Sequence, residues 1–244
     1  MSEEIVGFGE FTGKPYLTVA IRPEQYDAQR LTLARCREIL RSQSVRIRGW
    51  DFPHVDANQP VNGNGFVFGS IKFMQHIEAW RFATSGQFLF KGHLWDAVNE
   101  SFQETMTKAA EYSTKPFAGE KWSEIRGFIS FVGLIFSCTE ICMLAARLAQ
   151  AVPYDEGSVH FEINLRNILG YALASSEPGV SLHALYMAQV KEIHYNRDVD
   201  AQDLIASPSS IARSVLRSIF EKFNWNDARD DMMETWQRSI GVVN

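Results

Sequence analysis

Along the chain the spacing of apolar positions changes repeatedly, and each change marks an element. Pro15 to Ile21 (PYLTVAI) has the β-branched and aromatic content of a strand. Pro23 stands where a helix would open, so Glu24 to Ser42 is predicted helical, with Leu31, Cys36, Ile39 and Leu40 as inner positions. Val45 to Trp50 predicts a second strand, with Val45, Ile47 and Gly49 on one face and Arg46, Arg48 and Trp50 on the other. Asp51 to Gly65 holds two Pro, three Asn and two Gly, a long loop. Phe66 to Phe73 predicts a short strand and Asp96 to Tyr112 a helix. Trp122 to Ala151, apolar on nearly every side and ending before Pro153, predicts a helix covered from several directions. Val159 to Leu169 and Leu182 to His194 predict an antiparallel pair joined through Ala-Ser-Ser-Glu-Pro-Gly. Asp198 to Phe223 is predicted helical with a break at Pro208, and Asn226 to Val243 is an amphipathic acidic helix. The expected class is α+β: antiparallel hairpins packed on a central apolar helix, with a helical C-terminus. Residues 1–112 and 121–244 form two regions that pack as one globular unit, with Ser113 to Glu120 (STKPFAGE) between them.

The segment HIEAWRFATSGQFLFKGHLW, His76 to Trp95, carries the strongest signal, two alternating runs around a Ser-Gly turn. With Ser85 and Gly86 as the two turn residues, Phe82 opposes Leu89, Trp80 opposes Lys91, Glu78 opposes His93 and His76 opposes Trp95. All of these then share one polar face, and Ile77, Ala79, Phe88, Phe90 and Leu94 lie on the apolar one. His76, Glu78 and His93 on one sheet face would suit Fe(II), Mn or Zn, or acid–base work. The plainer reading is a solvent-facing Glu–His pair beside a Trp80–Lys91 cation–π contact.

Composition narrows the class without choosing a function. At 244 residues, 45% hydrophobic and 22% charged, the chain is ordinary globular material. The net charge of −5 is uneven: Arg22 to Arg48 carries seven Arg against three carboxylates, +4, which leaves −9 elsewhere. A basic segment on an acidic chain suits an anionic partner, and equally a solvated helix face with i,i+4 pairs. Three cysteines, at 36, 138 and 142, point to a reducing cytosol rather than a disulfide framework. The acidic start MSEEIVGFGE lacks the basic start and apolar core expected of a signal peptide, and Gly127 to Thr139, the longest uncharged apolar stretch, is shorter than a membrane span needs.

Arg46, Arg48 and Trp50 on one strand face could clamp phosphates and stack on a base, with Trp80 and Lys91 extending the surface. The alternative places Trp50 in the core and pairs the two Arg with Asp51 and Glu78. His54 in WDFPHVD, with Asp51 and Asp56, has the composition of a catalytic loop, though Asp51 can equally cap a turn. Glu140 within FSCTEICMLAARLA needs a partner if buried, and Arg147, two turns on, lies on nearly the same face. GFGEFTGK at 7–14 lacks the first glycine and the Ser or Thr of a phosphate loop and is rejected as one. The recurrence of His-x-Glu in QHIEAW and SVHFEI hints at two halves of one grammar.

RIRGWDFPH and EAWRFATSGQF resemble segments of uncharacterised bacterial proteins with an RGW-aromatic-PH stretch and a W-R-(F/L)-x-x-S-G-Q-F hairpin. Such segments sometimes adjoin a Schlafen-type (AlbA-like) DNA-binding domain, and the resemblance implies regulation or phage defence. It covers about residues 15 to 95 and, more loosely, the TEICMLAARLA helix through Phe223 to Trp225. It carries no catalytic residues, and the motif of the adjoining DNA-binding domain is absent.

The resulting expectation is a cytoplasmic, non-catalytic bacterial module without cofactor. It would bind nucleic acid or an acidic protein partner, not a membrane, through Arg46, Arg48, Trp50, Trp80 and Lys91. The alternatives are a metal-assisted hydrolase or nuclease using His76, Glu78 and His93 with His54 and Asp56, and a structural subunit of a homo-oligomer.

Overall fold

The computed structural model describes residues 11, 13–55, 60–112, 124–152, 154, 157–175, 177, 180 and 182–242. Strand β1 (Tyr16–Pro23) turns Leu17, Val19 and Ile21 to one side, and helix α1 (Leu33–Gln43) follows it. Next come β2 (Val61–Asn62), β3 (Phe66–Phe73), β4 (His76–Ala83), β5 (Phe88–His93), α2 (Trp95–Val98) and α3 (Glu100–Tyr112). Then β6 (Gly127–Ser130) leads into α4 (Phe131–Ala151), and β7 (Ser158–Arg166), β8 (Tyr171–Ala174) and β9 (Glu192–Asp200) precede α5 (Ala201–Ala206), α6 (Pro208–Lys222) and α7 (Asp230–Ser239). The fold is α+β, as the sequence predicts. Seven strands make one antiparallel sheet in the order β2-β3-β4-β5-β1-β7-β9, and β6 pairs with β8 in a short parallel ribbon. Because β1 lies between β5 and β7, both predicted regions feed one sheet and one core.

The inner sheet face is a run of apolar cross-strand rows. Trp80 opposes Phe90, which opposes Val19, and Val19 opposes Ile163; the next row is Phe82, Phe88, Ile21 and Phe161. Helix α4 fills the space over this face, flanked by α1, α5, α6 and α7. It starts at Phe131 because Ser130 caps it, accepting a bond from the Gly133 amide at 3.0 Å. By length and composition α4 could cross a membrane, but 14 of its 21 residues are buried inside the fold.

Several boundaries differ from those expected, each for a local reason. Pro23 ends β1, paired with Val159, and α1 begins only after Thr32, whose hydroxyl accepts from the Arg35 amide. The expected helix from Asp96 breaks at Asn99, whose side chain caps α3 through the Phe102 amide. Val45 to Trp50 is not a strand: one bridge, Val45 to Phe52, closes a loop that turns at Gly49 with φ of +91°. The partner of β7 is β9, beginning at Glu192, because the 182–191 stretch instead hydrogen-bonds the β8 region (Leu173 to Tyr186, Ala188 to Tyr171). The Pro208 break holds, and α7 docks through buried Met233 and Gln237. The Ser113 to Glu120 boundary and most of GFGEFTGK lie outside the described residues.

The β4–β5 connection differs from the expected one by a single residue. Ala83 N–H donates to Gln87 O and Gly86 N–H to Ala83 O, so the connection is Thr84-Ser85-Gly86, three residues with Gly86 at φ of +86°. The register therefore slips by one: Phe82 opposes Phe88, Trp80 opposes Phe90 and Glu78 opposes Gly92. His76, Glu78, Trp80 and Phe82 share their face with Phe88 and Phe90 and turn toward the core, while Lys91 and His93 move to the outer face.

Candidate functional site

The loop after α1 is tied to α4 and to the sheet at both ends. Arg147 on α4 donates to the Ser44 carbonyl, Val45 and Phe52 exchange backbone bonds at 2.9 and 2.8 Å, and the Trp80 indole donates to the His54 carbonyl at 2.6 Å. These bonds set Arg48, Trp50 and His54 beside the end of the inner sheet face that carries His76 and Glu78. There the helix layer stands away from the sheet and leaves a cavity of about 520 Å³. Its walls are apolar, with Leu17, Phe52, Phe90, Leu94 and Ile141. Gly92 keeps its floor open to the Phe90 ring, since a Cβ there would sit 2.6 Å from the ring tip. At the mouth Trp50 is 44% exposed, and Phe73 and Trp95 stack with ring centres 6.1 Å apart.

Into this apolar setting the fold brings charge. Glu140, from the middle of α4, has a side chain 1% exposed and is hydrogen-bonded to the Arg48 guanidinium, which also lies over Trp50 at 5.2 Å from the ring centre. Burial pushes the Glu140 carboxyl up from its ordinary value; the Arg48 bond opposes this, and the Glu78 charge adds to it. Glu78 reaches His76 Nε2 with one oxygen at 2.8 Å and faces His54 Nδ1 with the other at 3.9 Å. A carboxylate can only accept, so His76 Nε2 carries the proton and Nδ1 the lone pair in the neutral ring.

Asp96, at the start of α2, sits against the first turn of α4, where a Cβ on Gly133 would come within 2.3 Å of its Oδ2. Burial raises its pKa to about 6 against the lowering influence of Arg48.

One feature sets this cavity apart within the described residues. The buried side-chain atoms without a hydrogen-bond partner include Arg48 Nε, His54 Nδ1, His76 Nδ1, Glu78 Oε2, His93 Nε2 and Glu140 Oε1, all on residues lining it. A buried polar atom left unpaired costs about 1–3 kcal/mol, so six around one cavity are groups that a bound molecule would stabilise by pairing.

The residues singled out from sequence are divided by the fold. Arg48, Trp50, His54, His76 and Glu78 meet in the cavity. Arg46 stays outside, its side chain 68% exposed and 3.7 Å from Asp51. Trp80 is wholly buried and presents no surface to a partner. Lys91 lies on the outer face over Phe11 and Tyr16 rather than over Trp80. His93 packs its ring on Phe11 at 4.8 Å and donates from Nδ1 to Gln75 O; burial lowers its pKa. The slipped register thus takes His93 off the sheet face of His76 and Glu78, although it still borders the cavity. Among the described residues no group of three or more His, Cys, Asp or Glu side chains is placed to hold a metal ion. Asp56 lies outside the described residues. The second His-x-Glu sits on the outer face of β7, where His160 pairs with Asp198 and Glu162 with Asn164, so the repeat does not build a second cavity.

Sequence reasoning missed three members of the site. Glu140 pairs with Arg48 rather than with Arg147, and Phe73 and Trp95 form the aromatic mouth. A lone carboxylate in an apolar helix was the available signal for the first, and the expected facing of His76 and Trp95, whose ring centres lie 5.4 Å apart, for Trp95; nothing in the spacing pointed to Phe73. In comparison with known proteins, no family model, no curated protein and no solved structure matches this chain.

Proposed function

We propose that the chain binds a small organic ligand in the cavity between α4 and the β3–β5 end of the sheet, with the means for general acid–base chemistry on it. The observation that carries this reading is the convergence of six unpaired buried polar atoms on one apolar-walled, aromatic-mouthed cavity. Within it His76 is the group suited to proton transfer: Glu78 fixes its tautomer and leaves Nδ1 as the base. Glu140 is a second carboxylate, ion-paired with Arg48, and burial pulls its pKa upward against that pair. A chemically mixed fragment set, screened by thermal shift and mapped by NMR, tests the site. Hits are expected to move the Trp50 and Trp95 indole N–H signals. A set without hits, or hits mapping only to the outer sheet face, overturns it.

A second reading, binding of nucleic acid or an acidic protein partner, is supported by exposed Trp50 and Arg46 beside the cavity mouth. It retains two of the five residues expected from sequence as accessible contacts, with Arg48 partly reachable. Binding of mixed DNA and RNA oligonucleotides that weakens with salt, and is lost in Arg46→Ala/Trp50→Ala, is its expected result; salt-independent or unaltered binding refutes it.

A further inference from the structure

The chemistry of the unpaired atoms restricts what can fill the cavity. Glu78 Oε2 and Glu140 Oε1 belong to carboxylates and accept hydrogen bonds. His76 Nδ1 also accepts, because Nε2 spends its proton on Glu78. His93 Nε2 accepts as well, because Nδ1 donates to the Gln75 carbonyl. Against these four acceptors stands one unpaired donor, Arg48 Nε; His54 Nδ1, 3.9 Å from Glu78, can take either role. The charges agree with this tally. Arg48 is neutralised by its bond to Glu140, which leaves the Glu78 carboxylate as the uncompensated charge of the inner wall, with Lys72 exposed at the rim. Phe73 and Trp95 at the mouth add π faces, which attract cations and repel anions.

We infer that the ligand of this cavity is an organic cation, an amine, amidine or guanidine carried on an apolar or aromatic body. This rests on the cavity being a ligand site at all, and it adds the class of ligand. The donor-rich head would bridge Glu78 Oε2, Glu140 Oε1 and His76 Nδ1. The body would lie along Phe52, Phe90 and Ile141 and leave past Trp95. An anion in the same place would meet two carboxylates and leave the acceptors unpaired, a cost each time of a full desolvation penalty.

The test compares probes of one ring and different heads on the full chain: benzamidine, benzylamine, benzyl alcohol, benzoate and phenyl phosphate, by thermal shift and calorimetry. Benzamidine and benzylamine are expected to raise the melting temperature and to bind at least tenfold more tightly than the other three. Glu78→Gln, which keeps size, and Trp95→Ala, at the exposed mouth, are each expected to weaken that binding tenfold or more while circular dichroism stays unchanged. Benzoate or phenyl phosphate binding as well as benzamidine overturns the cation and leaves the cavity as a ligand site. Cation binding that both variants leave intact overturns the assignment to these residues. Failure of every probe at millimolar concentration overturns the ligand site together with its cation.

Discussion

Glu140 and Arg48 show how one residue's burial commits another. A carboxylate at the centre of an apolar helix is tolerated because the loop after α1 delivers a guanidinium to it. Removing only one partner leaves a buried charge, so Arg48→Met is expected to destabilise by about 3–5 kcal/mol in urea unfolding. The double variant Arg48→Met/Glu140→Leu should lose less than Arg48→Met alone; equal or greater loss would show that the pair is not coupled. Asp96 supplies a pH signature of its own. Its folded pKa of about 6 lies above the ordinary 3.8, so the folded chain holds this proton more tightly than the unfolded chain. The associated stability is present below about pH 4 and is lost as pH rises through 6, by at most about 3 kcal/mol. Asp96→Asn is expected to flatten that part of the stability–pH curve, and urea midpoints at pH 4.5, 6 and 7.5 in both chains measure it. An unchanged slope would place the titration elsewhere.

At the scale of elements, the β4–β5 hairpin decides which side chains meet. Gly86 takes a positive φ that other residues resist, and a Cβ there would press on Tyr154, Val152 and Arg30 side-chain atoms at 3.1 to 3.3 Å. Gly86→Ala is therefore expected to cost about 1–3 kcal/mol and to disturb the register on which Trp80 and Phe90 depend. Denaturation midpoints, with amide exchange along β4 and β5, check this; a neutral substitution would mean the turn relaxes freely. Gly92→Ala probes the other end of β5. Its Cβ would meet the Phe90 ring, so the ring must swing and reshape the cavity floor, with benzamidine affinity as the readout. Helix α7 is held by a different device: Gln237 donates to Thr139 and to the Ser209 carbonyl and accepts from Arg213.

At the scale of the whole molecule, β1 is the member that joins the halves, since it alone borders both β5 and β7. Its inner residues Leu17, Val19 and Ile21 are almost completely buried in the shared core. Ile21→Ala is expected to cost about 2–5 kcal/mol and to lower stability of the β3–β5 side and the β7–β9 side together. Coincident unfolding by tryptophan fluorescence and far-ultraviolet circular dichroism is the expected behaviour; two separated transitions would divide the sheet into independent units. The outer sheet face has another character, with hydrogen-bonded polar side chains such as Thr18, Asn164 and His194. That polarity is why the second His-x-Glu remains a surface pair.

What the residues determined by themselves were the features that depend on short-range pattern. Alternation in PYLTVAI and in the runs flanking Ser85 and Gly86 made strands, and the largely apolar stretch through Ile135 and Leu144 made the central helix. The break at Pro208 likewise follows from a ring that cannot continue a helix. The tertiary structure decided what depends on a single residue of register or on contacts far apart in the chain. A Ser-Gly pair fits both a two-residue and a three-residue connection, and which one forms depends on how the flanking strands pack, so the inward turn of His76 and Glu78 was not legible locally. The Arg48–Glu140 pair spans 92 positions, and no helical or strand period reaches that far. The aromatic mouth arises because β3 ends, with Phe73, beside the turn into α2, with Trp95. The site was assembled by packing, and its members became visible as a group only when the loop after α1 was laid against α4.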